Sequence, residues 1–269
     1  MVTDAQLDLL IQEIADYHGY DFSDYSRASF KRRIDRVFQL DKFGDFTHFL
    51  SRVRTDAEYF KRLIEEITVN VTEMFRDPHF YRALRLQVLP QLATKPFIRI
   101  WHAGCSTGEE VYSMAIMLDE MNLLQKSLIY ATDISADVLQ SARKGVFPLR
   151  MMKQYSENYV SSGGTHDFSD YYIANYGYAK FSERFSEKMV FSQHNLVSDR
   201  SFNEFDLILC RNVMIYFDPA LQDRAIGLFD ESLSRLGYLA LGSKETLKYS
   251  GRGKNYEQIP GEKIWKKLS

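Results

Sequence analysis

Between Phe97 and Ile116 the chain reads FIRIWHAGCSTGEEVYSMAI: an apolar run, a turn bracketed by Gly104 and Gly108, and a helix that opens on two adjacent carboxylates, Glu109 and Glu110. Glycines in such a turn let the backbone approach a ligand closely. A helix N-terminus ordinarily attracts an anion such as a pyrophosphate. Two glutamates placed there complement the helix dipole but repel a phosphate. The G-x-x-x-G spacing also departs from the G-x-G-x-x-G of dinucleotide folds. The chemistry that suits this turn is a cationic ligand without phosphates. S-adenosylmethionine (AdoMet), with its ammonium, its sulfonium and an unphosphorylated adenosine, meets that description. The plainer alternative is that both glutamates only favour the start of the helix. Asp133 ends the next apolar run, SLIYATD, roughly 25 positions after Glu109, where an acidic side chain accepts both hydroxyls of a ribose. Alone it would serve equally well as a helix cap for the segment starting at Ser135. One strand after a glycine turn, it points to an adenosine ligand.

These residues need a sheet to carry them. Residues 3–93 read as helices: Thr3 and Gln6 have the form of a capping box before Leu7, Leu10, Ile11 and Ile14. Further helices are expected over about 24–40, 45–53 and from about 56, the last with Phe60, Leu63, Ile64 and Ile67. Asp77-Pro78 then opens a helix running to about Leu92. After ATKPF the rhythm changes to strands alternating with helices: FIRIWHA, SLIYATD, FDLILC, GYLALG and KIWKKL are the strands, with helices near 107–122, 135–143 and 219–235. The fold class expected is therefore α/β: a Rossmann-like doubly wound domain over 76–269, preceded by a small all-α domain over 1–75. A Tyr- and Ser-rich stretch at 145–190 interrupts the rhythm and reads as a small antiparallel β insertion.

Composition narrows the function. The net charge of −2 argues against a nucleic-acid binder, although a local basic face is compatible with it. Cys105 and Cys210 follow no metal-ligand spacing and read as buried thiols, so no metal is expected. Asp4 and Asp8 among the apolar N-terminal residues do not suit a signal peptide, and no apolar run reaches the roughly 18 residues a bilayer requires. A cytoplasmic monomer without membrane insertion is the expectation.

Three further stretches, NVTEMFRD (70–77), HNL (194–196) and FDLILCRNVMIYFD (205–218), join CSTGEEVYS and ATDIS in order along the chain. Together they resemble the CheR family, the AdoMet-dependent chemoreceptor glutamate methyltransferases. The resemblance implies that Asn70, Thr72 and Arg76 reach the methionine end of the cofactor, with Arg76 suited to its carboxylate. It implies that Glu109 or Glu110 meets the ammonium near Gly104, and that Asp133 takes the ribose. Asn195 and Leu196 would flank the adenine, and Arg211 and Asn212 would close the site. Arg76 and Tyr216 would stand at the catalytic end. LGSKETL matches the family's usual Gly-His-Ser-Glu turn only loosely, and the insertion occupies the place of a receptor-docking subdomain in some members. The implied reaction is methyl transfer to glutamate side chains of chemoreceptor cytoplasmic helices, with S-adenosylhomocysteine (AdoHcy) as product. It needs little catalytic apparatus, because a glutamate with an ordinary pKa of about 4.3 is already ionised at neutral pH. Orientation alone can contribute roughly 7–11 kcal/mol. His102, His166 and His194 accordingly read as packing or surface residues.

An acidic helical substrate calls for a basic surface. In SRASFKRRIDRVF the apolar Phe30, Ile34, Val37 and Phe38 share one side, and Arg32, Arg33 and Arg36 project roughly opposite, with Arg27 and Lys31 flanking. Five cations against Asp35 make this helix the candidate substrate-binding face. The competing readings are an AdoMet-dependent methyltransferase acting on another protein or a small molecule, and a non-catalytic AdoMet-sensing module.

Overall fold

The computed structural model describes residues 1–23, 25–68, 72–248 and 250–268. The chain forms two compact units, Met1–Asn70 with Met214–Ala225, and Val71–Val213 with Ile226–Ser269. The segment carrying Tyr216 belongs to the helical unit, where Ser26 N donates to Tyr216 O at 2.7 Å and Tyr25 pairs with Phe217.

In the helical unit the capping box closes as expected. Thr3 N donates to Gln6 Oε1 at 2.9 Å and Gln6 N to Thr3 Oγ1 at 3.3 Å, starting α1 (Asp4–His18). Leu7, Leu10 and Ile14 bury one stripe of it. Helices α2 (Arg27–Leu40), α3 (Phe46–Thr55) and α4 (Ala57–Thr68) keep the same apolar spacing. Their Phe30, Ile34, Phe49, Val53, Leu63 and Ile64 join α1 in a single core.

The second unit begins with α5 (Pro78–Ala83), a π turn (Leu84–Val88) and α6 (Leu89–Leu92). The wide turn, in which Leu89 N reaches back to Leu84 O, lies beside Pro90, which has no amide for a regular ladder. There follow β1 (Ile98–Ala103), α7 (Glu109–Glu120), β2 (Ser127–Asp133) and α8 (Ala136–Lys144). The insertion holds β3 (Val146–Pro148), α9 (Met152–Ser161), β4 (Tyr172–Asn175), β5 (Tyr178–Phe181) and α10 (Glu183–Ser186). The chain then completes the sheet with β6 (Met189–Gln193), β7 (Phe205–Cys210), α11 (Pro219–Ser232), β8 (Leu233–Leu241), β9 (Tyr256–Gln258) and β10 (Ile264–Lys267).

The main sheet has the order β6-β2-β1-β7-β8-β10-β9. It is parallel from β6 to β8, and β10 and β9 are added antiparallel. The Rossmann-like expectation holds, on a mixed sheet. β7 lies at the centre with all six residues buried, five of them apolar and the sixth, Asp206, satisfied by Lys95 and by Arg99 N at 2.8 Å. The insertion carries a separate antiparallel sheet, β3-β5-β4. No helix among the described residues is long and apolar enough to cross a membrane.

Gly104 shows why the turn after β1 needs glycine. Its φ is +78°, and a Cβ there would lie 2.4 Å from Val213 Cγ2. Gly104→Ala is expected to cost about 2–4 kcal/mol, from left-handed backbone strain plus overpacking, read as a lowered urea midpoint.

Candidate cofactor site

The parallel register sets Ala103 opposite Thr132, so β1 and β2 end level with one another. Gly104 N and Cys105 N both donate to Thr132 O, at 2.8 and 2.9 Å, and fold the turn across the end of β2. Asp133, the last residue of that strand, then accepts from Ser106 N at 2.9 Å through Oδ2 and from Ser135 N at 3.1 Å through Oδ1. The N-cap of α8 is Ser135, whose Oγ accepts from Val138 N, so Asp133 closes a turn just before the helix and does not cap it. Each Asp133 oxygen retains a further lone pair. Burial pushes its carboxyl above the ordinary value despite these amides. Ser106 Oγ is buried without a hydrogen-bond partner among the described residues.

The two glutamates part company. A step of about 100° around a helix separates consecutive side chains. Glu110 Oε1 meets His102 Nδ1 at 2.8 Å, and Glu110 Oε2 accepts from Arg211 at 2.9 Å. Burial alone would raise its carboxyl, but the His102 hydrogen bond and the Arg211 guanidinium outweigh it and hold the group below the usual range. Glu109 is buried between hydroxyls: Thr107 Oγ1 donates to Oε2 at 2.6 Å and Tyr155 OH to Oε1 at 3.4 Å. Burial dominates there, and the carboxyl is pushed up. Glu110 is neutralised by the protein; Glu109 is desolvated and suited to a cation.

Arg211 lies at the end of β7, its side chain 3% exposed. Besides Glu110 it donates to Asp77 Oδ2 at 2.7 Å and Arg76 O at 3.1 Å, and its guanidinium stands 4.0 Å from the Phe80 ring centroid. Four groups of this chain thus hold the residue that the resemblance assigned to the cofactor. Asn212 beside it has φ +62°, and its amide donates to Glu245 Oε2 at 3.0 Å. Glu245 also accepts from Val213 N at 3.1 Å and Gly242 N at 2.6 Å. The loosely matching LGSKETL segment therefore ties the ends of β7 and β8 together.

Thr72 and Arg76 are half-buried on a segment pinned at three successive residues. Met74 O accepts from Asn158 at 3.0 Å, Phe75 N donates to Ser113 Oγ at 2.9 Å, and Arg76 O receives Arg211. Asn70 lies outside the described residues. Leu196 is buried and Asn195 half-buried, on a loop held to β2 by His194 N donating to Asp133 O at 3.1 Å. The Asn195 side chain accepts from Val197 N at 2.9 Å and shapes that loop. Among the described residues, four of the eight non-glycine residues with left-handed φ are Phe75, Asp77, Ser106 and Asn212. Strain of this kind concentrates where backbone position matters for function.

In the helical unit, Arg32 and Arg36 are exposed one turn apart on α2 and carry no ion pair among the described residues. Arg27 is paired with Asp8 at 2.5 Å and Lys31 with Asp4 at 2.6 Å. Arg33 turns inward, donates to Glu66 O at 3.2 Å and stands 4.9 Å from the Tyr216 ring centroid. Among the described residues, the apparent basic surplus thus contracts to two guanidinium groups without an ion pair. Sequence reasoning did not find Thr107, Tyr155, Asp77 or the buried His102–Glu110 contact. For Thr107, its place in the STGEE turn was the available signal.

Residues 70–263 match the CheR methyltransferase, SAM binding domain, and residues 5–68 its all-alpha domain, SAM being AdoMet. A Pseudomonas putida protein named as a methyltransferase, Cher3, is 45% identical over 96% of this chain and 94% of its own length. A chemotaxis protein methyltransferase of Listeria monocytogenes is 33% identical, covering 85% of each chain. Chemotaxis protein methyltransferase 2 of Pseudomonas aeruginosa is 35% identical over 86% of this chain and 78% of its own. A two-unit protein with a Rossmann-like sheet and an adenosine-type turn is thereby placed among AdoMet-dependent methyltransferases. The chain belongs to the CheR family of chemotaxis protein methyltransferases.

Arg211→Met removes the cation shared by Glu110 and Asp77, and is expected to cost about 3–5 kcal/mol in urea unfolding at pH 7. Glu110 is held low in the folded state, so its contribution is present above the ordinary carboxylate pKa and fades as pH falls through the folded value. The penalty of the variant should therefore shrink below about pH 4.

Proposed function

We propose that this protein transfers a methyl group from AdoMet to glutamate side chains of chemoreceptor cytoplasmic helices, leaving a glutamate methyl ester and AdoHcy. The observation that carries the cofactor half is the pair of desolvated carboxylates, Glu109 at the start of α7 and Asp133 at the end of β2, with the Ser106 hydroxyl, unpartnered among the described residues, on the turn that donates to Asp133. These residues fit a ligand with a cationic amino group and a ribose diol. Glu109 would take the ammonium, since Glu110 already has Arg211, and Asp133 would take the ribose. Thr72 and Arg76, with Asn70, would hold the methionine end, and Asn195 and Leu196 would flank the base. Arg211 and Asn212 act through position, the first on Glu110 and the second on the turn held by Glu245.

When bound, AdoMet supplies a methyl group on a sulfonium, an electrophile that an ionised carboxylate displaces directly. The chain's residues therefore have to orient the acceptor and exclude water, not create a nucleophile. Tyr216 and Arg76 are the residues proposed to act at the transfer itself. Arg32 and Arg36 support an acidic acceptor, as two exposed cations on one face with no ion pair among the described residues. The family membership and the chemotaxis names of the relatives point the same way.

Incubation with methyl-labelled AdoMet and receptor cytoplasmic fragments should give base-labile label on glutamate that is lost in Asp133→Ala. Label on another residue type, or none while AdoMet binds tightly, would overturn the glutamate reading in favour of another acceptor. The double reversal Arg32→Glu with Arg36→Glu should raise KM for the fragment about tenfold or more at low salt, with the Kd for AdoMet unchanged. An unchanged KM would remove the basic face from substrate binding.

A further inference from the structure

Helix α9 lies in the inserted segment, yet three of its side chains reach α7 and the segment before α5. Tyr155 OH donates to Glu109 at 3.4 Å, Asn158 to Met74 O at 3.0 Å, and Tyr159 OH to Glu120. Glu109 and Glu120 are the first and last residues of α7, so the insertion is fastened to both ends of the helix that opens on the cofactor turn. The fastening at Glu120 is reinforced by Tyr171 OH at 2.8 Å and by Arg85 at 2.5 Å.

We propose that Tyr155 is a positioning residue for Glu109: its hydroxyl holds the carboxylate ionised and aimed at the cofactor's ammonium, so the insertion helps to set cofactor affinity. This rests on the reading of Glu109 as the ammonium's partner. Each Glu109 oxygen has one hydroxyl donor, Thr107 on the turn and Tyr155 on α9, which fixes the plane of the carboxylate. Hydrogen bonds to the ionised form oppose the burial that pushes this group up. The neighbouring titratable groups do not take over the role. Tyr155 is itself pushed up by burial and by Glu109, and stays a donor across the neutral range. Cys105 on the turn is pushed well up by burial and stays a thiol. Glu110 is turned to His102 and Arg211, and Glu73 acts on Tyr155.

The linkage has a definite sign. Glu109 has a raised pKa, so it takes up a proton as pH falls toward that value and loses its attraction for a cation. Without the Tyr155 donor this occurs at a higher pH.

The test uses the full chain and AdoHcy, which carries the same ammonium and is not consumed, in calorimetric titrations from pH 8 to 5.5. Tyr155→Phe should weaken AdoHcy about three- to tenfold at pH 8, and the gap should widen as pH falls. Asn158→Ala loosens α9 from Met74 without touching Glu109, so its gap should stay constant with pH. A Tyr155→Phe gap that is absent, or as flat as that of Asn158→Ala, would overturn the proposal. Glu109→Gln separates the two levels of reading. It should weaken AdoHcy further and flatten the pH profile, and unchanged affinity there would remove Glu109 as the ammonium's partner altogether.

Discussion

One buried guanidinium organises the end of this sheet. Taking an arginine out of water costs several kcal/mol even after relaxation, and the cost is recovered only with well-placed charged and hydrogen-bonding partners. Arg211 finds them in Glu110, Asp77, the Arg76 carbonyl and the face of Phe80. Those partners come from α7, from the segment before α5 and from α5 itself, so one side chain at the tip of β7 gathers three parts of the chain. The left-handed backbone at Phe75 and Asp77 is held in place by such contacts, together with Ser113 and Asn158.

The division of labour between Glu109 and Glu110 follows from that arrangement. Adjacent helical residues point in different directions, and only one of the two can reach Arg211. Glu110 becomes a neutralised structural anion. Glu109, among hydroxyl donors, keeps an anionic character that burial resists. A carboxylate in that state attracts a cation more strongly than a solvated one, because less water screens it. Asp133 repeats the pattern at the end of the next strand, with backbone amides as its donors.

Much of this was legible in the sequence. The capping box at Thr3, the buried β7 and the strand–turn–helix at Gly104 are local patterns that tertiary context did not override. Asp133 could be placed because parallel strands of matched length end level. The pairing of Glu110 with Arg211 spans 101 positions, and no local signal announces it. Arg33 is similar: helical periodicity sets it among the exposed cations, but the Glu66 carbonyl and the Tyr216 ring draw it inward. The strand β6 was hidden because it is an edge strand with three of five positions exposed, which dilutes its apolar pattern. The late segment LGSKETL looked weak as a motif, while its Glu245 binds three backbone amides, a role independent of its neighbours' identity.

A crystal structure of the protein with AdoHcy bound tests the central claim most directly. The account predicts the ammonium nitrogen within hydrogen-bond distance of Glu109, both ribose hydroxyls on Asp133, and Glu110 still paired with Arg211. An ammonium seated on Glu110 with Arg211 displaced, or a cofactor bound away from the Gly104 turn, would contradict it.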